Sequence, residues 1–318
     1  MVPGTYPLIS SLLTASGSGA AFFKMNGCGN NFLVMDARGD GESASGLAPI
    51  VKDVITSSEG VDFDQMLVLR EGGEGVDAVM DMYNADGSSS EACGNGARCV
   101  ALLLGESRID ARIVLQAGVR RFFCQIIGNE RVRVDMGAPE WRPGAIPLFL
   151  PASVEDGSNL DPGLFPIPEL HNVGVVGAVS MGNPHGVFFF KEATALNSIE
   201  LKTIGPLLER DRAFPNRANI SFAYIEARDS LRLRVWERGA GATLCCGTAA
   251  CATHALARRH GLCDKESQVH LLGGTLDIYQ RESDEHIFMS GHAAFEYGKK
   301  SEHENVVKPG GVAQSQAA

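Results

Sequence analysis

Cys93 and Cys246 stand where this sequence could carry out proton-transfer or covalent chemistry. Each is followed by glycine and then by a run of small residues that reads as a helix. Cys93 opens CGNGARCVA and Cys246 opens CGTAACATH. A helix N-terminus carries unpaired N–H groups and a partial positive charge. A thiol placed there loses its proton more readily, and the amides of Gly94, Asn95, Gly247 and Thr248 would form an anion site beside it. Glycine at the first helical position lets the backbone approach a ligand closely. If two such helix starts face each other, a carboxylate can be held between two thiols. One thiolate then takes the α-proton and the opposite thiol returns a proton to the other face, which inverts the carbon. Racemisation or epimerisation is the reaction this serves. A positioned base gives only about 10²–10⁴-fold by itself, so geometry and electrostatics must supply the rest. Residue types alone leave three other uses open: a Cys93–Cys246 disulfide, a metal site that includes His185, and a single nucleophilic cysteine with His185 or His254 as its base.

The spacing indicates how two helix starts could meet. Cys93 and Cys246 are 153 residues apart, and the same offset relates Asn30 in GCGNNF to Asn183 in SMGNPH, Tyr83 to Trp236, and Met136 in VDMG to Met289 in IFMSG. Repetition at one offset points to a duplication, with halves of about 120–150 residues related by a pseudo-twofold. Helices are expected over 94–104 and over 247–260, the second stopping at Gly261 as a C′ residue. Both are apolar nearly all round and so belong in the interior, surrounded by strands. Further helices are expected over 199–210 and near 47–57. Strict alternation marks strands over 231–236 (LRLRVW) and 131–136 (RVRVDM). Other strands are expected over 32–36, 66–69, 112–115, 122–127, 187–190, 220–225, 269–272 and 287–290, between Gly, Pro, Asn and Asp clusters.

Composition narrows the class. The 318 residues include 28 basic and 38 acidic side chains, a net charge of −10, which argues against a nucleic-acid partner. With 44% hydrophobic residues the chain is an ordinary globular one. No apolar run approaches the roughly 20 residues that cross a bilayer. The eight cysteines include no C-x-x-C pair, so zinc-ribbon and thioredoxin-type readings lose support, and reduced thiols in the cytoplasm are expected. Residues 1–20 lack the basic positions of a signal or transit peptide and read as a flexible extension. The expected organisation is an N-terminal domain over 21–140 plus about 292–300, a C-terminal domain over 141–291, and a disordered tail over 301–318.

Longer motifs in order make the chain resemble the diaminopimelate epimerase family. They are FKMNGCGNNF, DQMLVL, YNADGSSSEACGNGARC, VDMGAPEWRPGAIP, SMGNPHGVFF, IGPLLERDRAFPNRANI, WERGAGATLCCGTAACA and GGTLDIY, spanning most of 22–298. The resemblance implies an α/β (α+β) fold of two pseudo-symmetric domains. Each would be a curved, mostly antiparallel sheet around a central helix, with the active site in the inter-domain cleft. It implies an isomerase without a cofactor or a metal that converts LL- to meso-diaminopimelate for lysine and cell-wall precursors. It implies catalytic roles for Cys93 and Cys246 and carboxylate binding by Gly94, Asn95, Gly247 and Thr248. The distal end of the substrate falls to Asn30, Gln65, Asn84, Asn183, Asn219, Glu237 and Arg238, with Arg238 as a forked carboxylate partner. A homodimer is implied, and no membrane or nucleic-acid partner. Departures from the family pattern lie at Asn26 to Asn31, Ala242, Ala249 and Ser290 to Ala293. They leave the catalytic positions intact and bear on substrate preference. The other readings are a racemase for another amino acid and a binding protein that kept the fold without catalysis.

Overall fold

The computed structural model describes residues 21–39, 51–54, 63–89, 94–150 and 156–297. Cys93, the extension over 1–20 and the tail over 301–318 lie outside the described residues. Of the helix expected near 47–57, only 51–54 are described, and they are helical.

The first half runs β1 (Ala21–Gly27), β2 (Asn30–Asp36), β3 (Gln65–Glu71), β4 (Ala78–Asn84), helix α1 (Gly94–Leu104), β5 (Arg112–Ala117), β6 (Arg120–Gly128) and β7 (Arg131–Asp135). The second runs β8 (Val173–Ser180), β9 (Pro184–Phe190), helices α2 (Ala193–Ser198) and α3 (Leu201–Glu209), β10 (Asn219–Ala227), β11 (Ser230–Glu237), β12 (Gly241–Thr243), helix α4 (Gly247–Arg259), β13 (Glu266–Leu271), β14 (Gly274–Gln280) and β15 (Ile287–His292). A last strand, β16 (Ala294–Tyr297), returns to pair with β1.

The two halves have one topology. Strand order is β1-β2-β3-β4-β5-β6-β7 in the first and β8-β9-β10-β11-β13-β14-β15 in the second. The parallel pairs fall in matching places, β2–β3 with β9–β10 and β4–β5 with β11–β13; the other pairs within each run are antiparallel. A parallel pair needs a crossover, and α1 and α4 are the crossovers from β4 to β5 and from β11 to β13. Antiparallel pairing of β7 with β15 joins the two runs into one sheet. The expected duplication is thus a repeat of strand order and of helix position.

Small residues put the helices inside. α1 is buried from Gly94 through Leu102 and α4 from Gly247 through Ala257. One apolar core surrounds both and runs through the two halves. Leu256 of α4 fills the space left by Gly177 of β8, and its truncation to Ala would cost about 2–5 kcal/mol. The outer faces of the sheet carry separate cores, one under α2 and α3 and one beside 51–54. Strands covered on both faces lose their alternation; β9, PHGVFFF, is buried throughout.

α4 ends as the sequence suggests. Gly261 has φ +67°, its amide donates to Arg258 and the Leu262 amide donates to Ala257. This double closure is the Schellman arrangement. β1, β4, β8, β12, β14 and β16 were not expected. Glycines interrupt β8 (VGVVGAVS), and β14 begins at the glycine pair 273–274, which reads as turn. In β4 (AVMDMYN) apolar residues occupy the half-exposed face too, which hides the period of two.

Candidate active site

The chemistry-bearing residues gather at one edge of each half. In the first, Asn30 opens β2, Gln65 opens β3 and Asn84 closes β4. In the second, Asn183 precedes β9, Asn219 opens β10 and Glu237 closes β11. Neighbouring strands bring each set of three side by side: Gln65 and Asn84 are cross-strand partners, and the Gln65 amide donates to Asn84 Oδ1 at 3.3 Å. Asn84 donates to Ser88 Oγ at 3.0 Å. Asn183 Oδ1 lies 3.0 Å from His185 Nε2. Asn219 donates to the Pro184 carbonyl, and its Oδ1 accepts from the Arg238 amide at 2.9 Å. The half-buried Arg238 also sends its guanidinium to the Asn216 carbonyl.

The helix starts converge on a single side chain. A Cβ at Gly94 would lie 2.7 Å from Met289 Cε, and one at Gly247 would lie 2.8 Å from Met289 Sδ. Glycine at both places lets the two N-termini close on the same methionine. Asn95, fully buried, bridges the halves. Its amide nitrogen donates to Asn30 Oδ1 at 2.7 Å and to the Cys245 carbonyl at 3.4 Å, and its oxygen accepts from Arg98 at 2.8 Å. The expected meeting of the helix starts is therefore present.

Cys246 caps α4 from an extended backbone, and its carbonyl takes the first helical bond from Ala250 at 3.0 Å. Its Sγ lies 3.5 Å from Thr248 Oγ1. Thr243 donates to Glu237 Oε1 at 2.5 Å. The helix start does not lower this thiol. Burial raises it well above the usual thiol range and the Glu237 charge adds to that, while Thr248 and the Ala249 amide pull the other way. Dehydration outweighs the pull of the Thr248 hydroxyl and the Ala249 amide at the helix start. Glu237 is itself raised by burial, against the pull of Thr243 and Cys246.

The ends of the hairpins interlock with the same symmetry. Cys28 and Gly29 form the two-residue turn between β1 and β2, both with positive φ, +56° and +80°. That sequence of angles is a type I′ turn. A Cβ at Gly29 would meet the Gly273 backbone at 2.8 Å; in the other half, a Cβ at Gly182 would meet Arg120 Nη1 at 3.0 Å. Gly182 is the counterpart of Gly29, and Gly273 that of Arg120, at the offset of 153. Each half's first hairpin thus docks on the other half's turn before its sixth strand. Arg120 completes its contact by donating to the Met181 and Met136 carbonyls, both at 2.9 Å.

Comparison with known proteins agrees with this geometry. The diaminopimelate epimerase family model matches residues 22–142 and 177–296, one stretch in each half. The chain is 42% identical over 275 residues to the diaminopimelate epimerase of Methylocella silvestris, covering 86% of this chain and 92% of that one. The enzyme of the same name from Acidiphilium cryptum is 43% identical over 274 residues, with coverage of 86% and 93%. The chain belongs to the diaminopimelate epimerase family. By this membership it is an isomerase. Among solved structures, a predicted epimerase from Pseudomonas aeruginosa superposes with a TM-score of 0.62 at 15% identity, over 87% of this chain and 97% of that one. A probable proline racemase from Agrobacterium radiobacter gives 0.60 at 12%, over 87% and 91%. These share the two-domain fold.

The histidines do not fit the other cysteine readings. His185 is fully buried and lowered to about 3, first by burial and then by Arg238 and Arg120. His254 bonds Ser267 Oγ at 2.7 Å and is lowered to about 4 by burial. Both are poor bases, and the side chain within hydrogen-bond distance of Cys246 Sγ is Thr248. Among the described residues no group of three or more His, Cys, Asp or Glu could hold a metal ion, and no helix is long and apolar enough to cross a membrane. Sequence reasoning passed over Thr243, Arg98 and Arg120. A signal for Arg98 was present: an arginine in the second turn of an otherwise apolar helix.

Proposed function

We propose that the chain converts LL-2,6-diaminopimelate to meso-diaminopimelate without a cofactor, by a two-base mechanism in which Cys93 and Cys246 act from opposite faces of one α-carbon. The observation that carries this is the pair of glycine-led helix starts closing on Met289, with Cys246 at the head of one. Cys93 directly precedes Gly94 in the sequence, as Cys246 precedes Gly247.

The α-carboxylate lies across the two N-termini, held by the amides of Gly94, Asn95, Gly247 and Thr248. Those dipoles stabilise the negative charge that builds on the carboxylate as the α-proton leaves. Cys246, raised by burial and then by the Glu237 charge, is held as the thiol. It is set to deliver a proton while Cys93 removes one, and in the reverse reaction the roles exchange. Asn30, Gln65, Asn84, Asn183, Asn219, Glu237 and Arg238 sit at the strand ends around these helix starts and read the distal amino and carboxylate groups. An amino acid lacking a distal end would not engage Asn84, Asn219 and Arg238. The domains of this reading are 21–140 with the final strand and 141–291. The enzyme works as a homodimer in the cytoplasm, supplying lysine and peptidoglycan precursors.

The test is turnover of LL-diaminopimelate by the reduced protein with no added cofactor, followed by chiral separation. The expected result is approach to a mixture of LL and meso isomers, lost in Cys93→Ala and in Cys246→Ala. An unchanged LL isomer with wild-type protein would overturn the substrate assignment; full activity in either variant would overturn the mechanism.

A further inference from the structure

Arg98 is the largest of the fully buried side chains, with 0% exposure, in the second turn of α1. A helical side chain leans toward its N-terminus, so this guanidinium extends toward the first turn. Nη2 donates to Asn95 Oδ1 at 2.8 Å, Nη1 points to Met289 Sδ at 3.6 Å, and Nε has no partner. Gly291 of β15 makes room for it: a Cβ there would lie 3.1 Å from both Nε and the central guanidinium carbon. Among the described residues no carboxylate pairs with it.

This is a costly place for a positive charge. A buried, unpaired guanidinium is strongly disfavoured. Here it also lies behind the positive ends of two helices, because Met289, its own contact, is the side chain on which Gly94 and Gly247 close. The titratable groups that feel its charge are thiols: Cys28 in the first hairpin, Cys124 on β6, Cys245 before α4 and Cys251 on α4. Cys246 faces Glu237 from β11 instead. The counter-charge that balances Arg98 is thus supplied by none of its recorded partners.

We infer that Arg98 is a positioning residue whose buried charge is balanced by the carboxylate of the substrate, held on the helix starts one side-chain layer above it. It acts through Asn95. By donating to Asn95 Oδ1 it fixes which way that amide faces, so Asn95 Nδ2 is committed to Asn30 and to the Cys245 carbonyl next to Cys246. Loss of the guanidinium removes both the charge and that orientation. This deepens the reading of the site as a carboxylate-binding epimerase site and rests on it.

The probes are iodoacetate, which carries a carboxylate, and iodoacetamide, which is neutral. Alkylation of Cys246 in the full chain is followed by peptide mass spectrometry, and the ratio of the two rates is compared among wild type, Arg98→Met, Arg98→Gln and Arg98→Lys. The ratio is expected to fall about tenfold in Arg98→Met and Arg98→Gln and to be largely kept in Arg98→Lys. A purely structural role would lower the melting temperature and alter both rates together, leaving the ratio at the wild-type value, and that result overturns the proposal. If Arg98→Met does not fold, Arg98→Gln carries the comparison, since it keeps a donor to Asn95 and lacks the charge. Turnover of LL-diaminopimelate is measured on the same wild-type sample. No turnover with an Arg98-dependent ratio would sink the epimerase reading and leave the anion site standing; turnover with an unaffected ratio would do the opposite.

Discussion

The two halves share strand order, helix position, interlocking hairpins and the matched pairs Cys93/Cys246, Gly94/Gly247 and Asn30/Asn183, yet they differ at other positions that do chemistry. At the offset of 153, Asn84 corresponds to Glu237, Asn95 to Thr248, Arg98 to Cys251, Phe32 to His185 and Ala101 to His254. The first half supplies amides and a buried guanidinium. The second supplies a carboxylate, a hydroxyl and two buried neutral imidazoles. The backbone frame, which brings two helix N-termini to Met289, is what the halves retain in common. The difference teaches that one backbone frame, repeated, can be given two different electrostatic settings.

The strongest way to break the comparison is at the thiols. Cys246→Ala and Cys93→Ala should each lower kcat by about 10²–10⁴-fold with an unchanged circular dichroism spectrum. Retention of more than a tenth of the activity in only one of them would show that the halves do not contribute one base each.

Gly29 and Gly182 sharpen it next. Both have positive φ, +80° and +93°, but a Cβ at Gly29 meets backbone, whereas one at Gly182 meets an arginine tip that can move. Gly29→Ala should cost about 2–4 kcal/mol and Gly182→Ala about 1–2 kcal/mol, read from urea midpoints. Equal costs would mean that the two interlocks are equally rigid.

Acid should act on the second half first. His185 and His254 are lowered to about 3 and about 4, from an ordinary value of 6.5. Below pH 6.5 the unfolded chain binds protons that the folded chain refuses, so stability falls with pH until the folded values are passed. The expected loss is about 2–4 kcal/mol between pH 7 and 5. Hydrogen exchange should show β9 and α4 losing protection before β2 and α1. Simultaneous loss in both halves would remove the assignment to these histidines.

The smallest effect concerns Glu237. Its charge raises the Cys246 thiol, so Glu237→Gln should move the alkylation profile of Cys246 to lower pH by about one unit or less. Asn84→Asp, the same exchange in reverse in the other half, should move Cys93 to higher pH.

Much of this was legible in the sequence because the site is built from backbone. Glycine after cysteine, small residues in the helices and Gly261 at a helix end state local geometry directly. The shared offset announced the duplication, and Asn30 with Asn183 marks the same strand-start edge in both halves. What could not be read depends on burial. The helix start was expected to lower Cys246, and desolvation with the Glu237 charge reversed the direction. β4 and β8 were missed because apolar residues on the half-exposed face of one, and glycine inside the other, hid the period of two. Arg98 stood in view in CGNGARC, but its meaning depends on Met289 and Gly291, which lie nearly two hundred residues away in the chain.

The central claim is that each half contributes one of two bases, and solvent deuterium tests it most directly. The protein is incubated with LL-diaminopimelate in D₂O, and substrate and product are separated while little has reacted. The account predicts deuterium at the inverted α-carbon of the meso product and none in the recovered LL substrate, because the proton taken by one thiol is not the one returned by the other. Deuterium entering the LL substrate ahead of meso product, or meso product that retains the original hydrogen, would contradict it.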